Sequence, residues 1–387
     1  MDLAASAAQF LLETSLTECY HWTRQAVEAL DATSVGGRRE MELQAALAVA
    51  EMFTRGNAET VRSTFARSLH LAEQLGDLHW QFWLLRALYI YHMRLTDFQG
   101  ALHIIEQIEA VARELADPAS MLYAKWMRGG ANSLIGNHRI SVDLCESAMV
   151  QNPGSERPSI LHLGFDDRLL AMIAFARSLW QIGQPHCAVV AARSTISEAE
   201  RLGQPVGLSF ALAWTIPIFL WMGDWINAES MIDRLIDHTA RHFLGPHHAI
   251  GIGLQGVLLV QRGDVARGID HLLRSQASLN ALRHRVTATV FATALAEARA
   301  QLMQLDEALR LIDEAITQID ESFDMPEMLR IRDTFWLLLA ALRRPKPFSS
   351  NRSNYRASKT RSVGSCALRL PSGAFGRRPV AQGTREL

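Results

Sequence analysis

A period of 40 residues constrains this chain more than any other feature. Glycine, or a residue standing in for it at a turn, recurs at Gly56, Thr96, Gly136, Gly183, Gly223, Gly263 and Met303, at intervals of 40, 40, 47, 40, 40 and 40 residues. Five residues after each marker stands a small or modest side chain: Val61, Ala101, Ser141, Ala188, Ala228, Gly268 and Ala308. Four and seven residues further on come Phe65 and Ser68, Ile105 and Ile108, Cys145 and Ala148, Ala192 and Thr195, Ile232 and Leu235, Leu272 and Ser275, and Ile312 and Ala315. Offsets of 0, 4 and 7 share one face of an α-helix. The same spacing at Cys19, Thr23 and Ala26 adds a unit at the front, which makes eight.

Seven residues before a marker the position is small at Gly129, Ala176, Gly256 and Ala296, so a preceding helix can approach closely. Each unit therefore reads as helix, tight turn, helix. Neither helix can bury its stripe alone, so units must stack, each against its neighbours. The expected fold is all-α: about eight helix-turn-helix repeats in a right-handed superhelix over residues 1–344. The 47-residue interval holds the breaker-rich run Gln151–Pro158, expected to form the one irregular corner.

Charge separates the two ends. Residues 345–387 hold nine of the 39 basic residues and one of the 40 acidic ones, so a body of net −9 carries a tail of net +8. The tail is low in aliphatics and is expected to be disordered. It is also the only segment expected to touch nucleic acid, and then weakly. Four scattered cysteines without a CxxC pair fit reduced thiols. The N-terminus lacks a basic run, and the apolar stretch Leu208–Met222 is short for a membrane span. A cytoplasmic protein with no membrane partner is expected.

The pattern of small residue, turn marker, acidic residue and aromatic, as in Thr96-Asp97-Phe98 and Gly223-Asp224-Trp225, resembles tetratricopeptide repeats stretched from 34 residues to 40. Four segments resemble one bacterial family further: Arg38–Leu47 (RREMELQAAL), Leu71–Asp77 (LAEQLGD), His247–Gly253 (HHAIGIG) and Met325–Arg332 (MPEMLRIR). They are similar to the C-terminal helical half of multidomain transcriptional and signalling regulators that also carry an NTPase and a winged-helix or adenylate-cyclase domain. The resemblance spans roughly Met1 to Arg344. It implies a non-enzymatic module that senses ligands or partners and controls the NTPase. No GxxxxGK[ST] loop occurs, so the chain resembles the regulatory half alone, and a truncated remnant of a larger regulator is an alternative.

In tetratricopeptide-like arrays the first helix of each unit lines the concave face, which here implies Trp83, Arg86, Tyr123, Trp126, Trp180, Trp214 and Trp221, with Phe53 and Phe210. Arg128 joins them because Lys125, Arg128 and Asn132 stand where other units place packing residues. Two readings stay open: a recognition groove for a protein or small ligand, or rings filling the lumen of a tight superhelix. Apolar terminal residues, Phe10–Leu12 and Phe335–Leu339, point to docking of another subunit or a homodimer.

No catalytic, cofactor or metal set assembles. Gly251–Gly256 spells GxGxxG, but the register places it inside a first helix with Gly256 at the small packing position. His238 and His242 share a helix face, with His247 beyond. A metal-dependent enzyme using all three is the alternative from another class, against a solvated helix end. Asp166-Asp167 reads as a helix cap.

Overall fold

The computed structural model describes residues 2–32, 34–151, 163–317 and 323–343. The basic tail and most of the breaker-rich corner lie outside the described residues. Among those described there are seventeen α-helices and no strand. They run as eight hairpins: α1 (Asp2–Thr14) with α2 (Leu16–Glu28), α3 (Arg38–Thr54) with α4 (Glu59–Gln74), α5 (Leu78–Arg94) with α6 (Phe98–Leu115), and α7 (Pro118–Leu134) with α8 (His138–Gln151). Then come α9 (Arg168–Gln181) with α10 (Pro185–Leu202), α11 (Pro205–Met222) with α12 (Trp225–Arg241), α13 (Gly245–Arg262) with α14 (Val265–Ala281), and α15 (Ala288–Gln301) with α16 (Leu305–Thr317). A single helix, α17 (Met325–Arg343), follows. The fold is a tetratricopeptide-like α-solenoid.

All seven turn markers adopt left-handed backbone, with φ between 61° and 99°, including Thr96 and Met303. A second left-handed series joins one hairpin to the next at Gly36, Gly76, Ala116, Gly203, Phe243 and Arg283. Half of that series is not glycine, so composition hides it. Asp77, Asp97, Asp117 and Asp224 each accept a backbone N–H in the first turn of the helix they precede, which satisfies donors the helix cannot.

Every described residue of the 0, 4, 7 stripe is buried. The GxGxxG run lies within α13 and serves packing. A Cβ on Gly256 would stand 2.9 Å from Leu272 Cγ and 3.0 Å from the Gly268 carbonyl oxygen, so the two glycines let α13 and α14 cross closely. Helix α11 is long and apolar enough to cross a membrane by length and composition, longer than the stretch read from sequence, but it is mostly buried inside the solenoid.

One expectation is overturned. Hairpins do not touch only their chain neighbours, because the superhelix winds tightly enough to meet itself. Asn57 donates its backbone N–H to the Leu282 carbonyl at 2.9 Å and its side-chain amide to the Arg283 carbonyl at 2.9 Å. Arg285 donates to the Arg94 carbonyl at 2.7 Å, and Phe323 to the Leu134 carbonyl at 2.9 Å. The terminal helices are partly covered for the same reason: Leu12 is buried, and its carbonyl lies against Gly164. Phe335 and Leu339 are buried too, while Phe10, Trp336 and Leu337 remain exposed, Leu337 by 73%.

Candidate functional site

The first helices of successive hairpins face one another across the axis, and the winding gives this lumen two halves of different character. In one half the rings have closed on each other. Phe53, Phe165 and Phe210 meet at centroid distances of 5.1 to 5.9 Å, with His247 4.6 Å from Phe210. Of the expected groove residues, Trp83, Arg86, Tyr123 and Trp126 lie in this filled region, none more than 2% exposed. They do not open to a groove, because the tight coil packs the facing helices directly onto them. Arg86 is bound by Asp167 through Nε and Nη2, and its guanidinium lies 4.8 Å over the Tyr123 ring.

Asp167 stands at the N-cap position of α9, but its side chain makes no capping bond. Asp166 supplies that bond, accepting from the Arg168 N–H at 3.0 Å. Arg128 stands off the axis, half-buried, and pairs with Glu109 of α6 at 2.6 Å. Asn132 donates to the Arg128 carbonyl at 2.8 Å.

The other half is open. Helices α9, α11, α13, α15 and α17, with the turn after α7, enclose a cavity of about 970 Å³. Trp221 is in its wall, with Trp180 stacked behind at 5.6 Å and an interplanar angle of 34°. Trp214 borders a second, smaller cavity of about 90 Å³. The larger cavity mixes apolar walls (Leu220, Leu254, Val257) with polar groups that sequence reading did not single out: His138, Gln261, Thr293, Glu297 and Arg330. Among the described residues Gln261 Oε1 and Thr293 Oγ1 have no hydrogen-bond partner.

Electrostatics in the cavity follow from its walls. Glu297 is open to the cavity yet encircled by protein. Desolvation first, and then the charge of Glu327, push its carboxyl up to about 7, with Arg330 opposing. His138 is held down to about 4 by desolvation and by Arg177, so its imidazole is neutral.

A register accounts for this wall. The residues six before the markers from Thr96 onward, Ile90, Gly130, Arg177, Pro217, Val257 and Glu297, all line one cavity or the other. So do Arg94, Leu134, Gln181, Trp221 and Gln261, two before their markers. That stripe is present in the sequence, and of its members only Trp221 stands among the residues expected on the concave face.

The histidine set is not brought together. His238 Nε2 lies 2.9 Å from the Pro205 carbonyl, with His242 beside it. His247 is buried, not on a solvated helix end, and faces Ser209 and Arg94. Among the described residues no three His, Cys, Asp or Glu side chains converge as metal ligands would.

No family model matches the sequence, and no curated protein matches it. Solved structures do. A Rap protein complexed with competence and sporulation factor superposes with a TM-score of 0.52 at 12% identity, covering 88% of this chain and 96% of that one. The Cut9–Hcn1 hetero-tetramer of APC/C gives 0.60 at 14% identity, covering 87% of this chain and 57% of that one. Both are tetratricopeptide-like repeat proteins, and at these identities the likeness establishes the fold.

Proposed function

We propose that this chain is a non-enzymatic protein-interaction and sensing module that captures a peptide segment in the open half of its lumen. In this reading it works as the regulatory half of an NTPase-coupled transcriptional regulator does, in the cytoplasm. The observation that carries the proposal is the 970 Å³ cavity, with an aromatic wall at Trp221 and unpartnered polar atoms on Gln261 and Thr293. Sites of this kind, mostly apolar with a few placed polar groups, bind extended ligands. The solved Rap protein, of the same fold, is complexed with a competence and sporulation factor, which supports the reading by analogy. Bound peptide would bridge α9, α11, α13, α15 and α17 and so shift the superhelical pitch that a partner reads. Exposed Trp336 and Leu337 on α17 offer that partner, or a second copy, an apolar face.

A displayed peptide library panned against the purified chain tests this. Selected peptides are expected to lose about tenfold or more in affinity on Trp221→Ala, as at other tryptophan hot spots, while helix content by circular dichroism stays constant. Undiminished binding by the Trp221→Ala chain, or a library that yields no binder, would refute the reading.

A further inference from the structure

The larger cavity carries one negative charge more than its own wall neutralises. Helix α15 turns Val290, Thr293, Ala294 and Glu297 toward it, at offsets of 3, 4 and 7 that share a helix face. Glu297 ends that stripe as a carboxylate with no hydrogen bond or ion pair among the described residues; only the more distant charges of Glu327 and Arg330 act on it. Arg330 is the one arginine or lysine among the described residues of the wall, and it is already engaged. Its Nε donates to Glu327 Oε2 at 2.7 Å and its Nη2 to Oε1, so its fork closes on both oxygens of that carboxylate. Asp324, just ahead of α17, is matched by the charge of Arg177, and the imidazole of His138 is neutral. Two carboxylates, Glu297 and Glu327, therefore share a single guanidinium. The Glu297 carboxyl is pushed up to about 7 for that reason: burial and the charge of Glu327 outweigh Arg330.

The neutral polar groups in the same wall are short of donors too. Gln261 Oε1, from α13, and Thr293 Oγ1, one turn before Glu297, have no hydrogen-bond partner among the described residues. A carboxylate and an amide oxygen only accept, so what this wall lacks is a donor. An ammonium group supplies three donors and a guanidinium five, each with the charge that Glu297 is missing. An acidic ligand would instead add to the repulsion between Glu297 and Glu327. Trp221, Leu254 and Val257 give the cavity apolar surface, against which the methylene stem of a long cationic side chain packs.

We propose that the peptide captured in this cavity is a basic one, and that Glu297 receives a cationic group of it, either a lysine or arginine side chain or the free N-terminal ammonium. This rests on peptide capture in the open half of the lumen and adds the chemistry of what is captured.

Peptides panned from the displayed library on the full chain, then synthesised and titrated by calorimetry, test the proposal. The binders are expected to share a lysine or arginine, or to require a free N-terminus. Replacing the lysine by norleucine or the arginine by citrulline, or acetylating the N-terminus, is expected to cost at least tenfold in affinity, and the change that does so identifies the source of the cation. Glu297→Gln is expected to weaken the parent peptide at least tenfold and its neutral analogue less than twofold, with helix content unchanged. Glu297→Ala, which keeps a strong helix former at that position, serves in the same comparison if Glu297→Gln fails to fold. Binders that lose affinity on Trp221→Ala but tolerate every one of these peptide changes, or undiminished affinity in the folded Glu297 variant, would overturn the cation assignment and leave peptide capture standing. A library without binders would overturn both.

Discussion

Arg86→Met is expected to destabilise the chain by about 3–5 kcal/mol, because it leaves the Asp167 carboxylate buried without its cation. Arg86 is wholly buried and Asp167 nearly so, and they lie 81 residues apart in sequence. Their bond ties α5 to the start of α9 across the intervening hairpin. Adding Asp167→Leu to Arg86→Met is expected to recover most of the loss, since a buried pair replaced by packed apolar groups is often close to neutral. Urea unfolding followed by circular dichroism on the two single variants and the double variant measures this. A single variant that unfolds at the wild-type midpoint would mean the pair holds nothing together.

The second large effect concerns a glycine at the point where the superhelix meets itself. Gly56 has φ 99°, and a Cβ there would lie 2.2 Å from the Leu282 carbonyl oxygen, a backbone atom that cannot step aside. Gly56→Ala therefore combines a left-handed penalty of about 1–2 kcal/mol with overpacking of about 1–3 kcal/mol. Gly76 is the internal control: its φ is 63°, and nothing stands within 4 Å of the added Cβ. Gly76→Ala should show only the backbone penalty of about 1–2 kcal/mol. Thermal melts that place the two variants together would show that the Gly56 contact with Leu282 is not tight in solution.

Much of the fold was legible because helical hairpins write their geometry into local spacing. The markers, the 0, 4, 7 stripe and the small residue at Gly256 each express a constraint between residues less than one unit apart. What failed was what depends on superhelical pitch, which sums small rotations over five or six hairpins and leaves no local signature. So the contact of Asn57 with Leu282 could not be read, and the choice between a groove and a filled lumen at Trp83, Tyr123 and Trp126 stayed open until the structure showed them buried. Arg86 and Asp167 were each given a local role, on a groove and at a cap, because their partnership is not local. Glu297 has no local mark that separates it from a solvated helix residue. Only its register, shared with Arg177 six before another marker, sets it on the axis.

The central structural claim is that non-adjacent hairpins meet, so that one half of the lumen is filled and the other enclosed. Hydrogen exchange at the backbone amides of Asn57, Arg285 and Phe323 tests it most directly, because all three lie between helices and their bonds reach across the superhelix. The account predicts that these amides exchange on the order of a hundredfold or more slowly than in unstructured chain. Exchange at the unprotected rate, with α3 and α14 still protected, would describe an open solenoid without an enclosed lumen and would contradict the account.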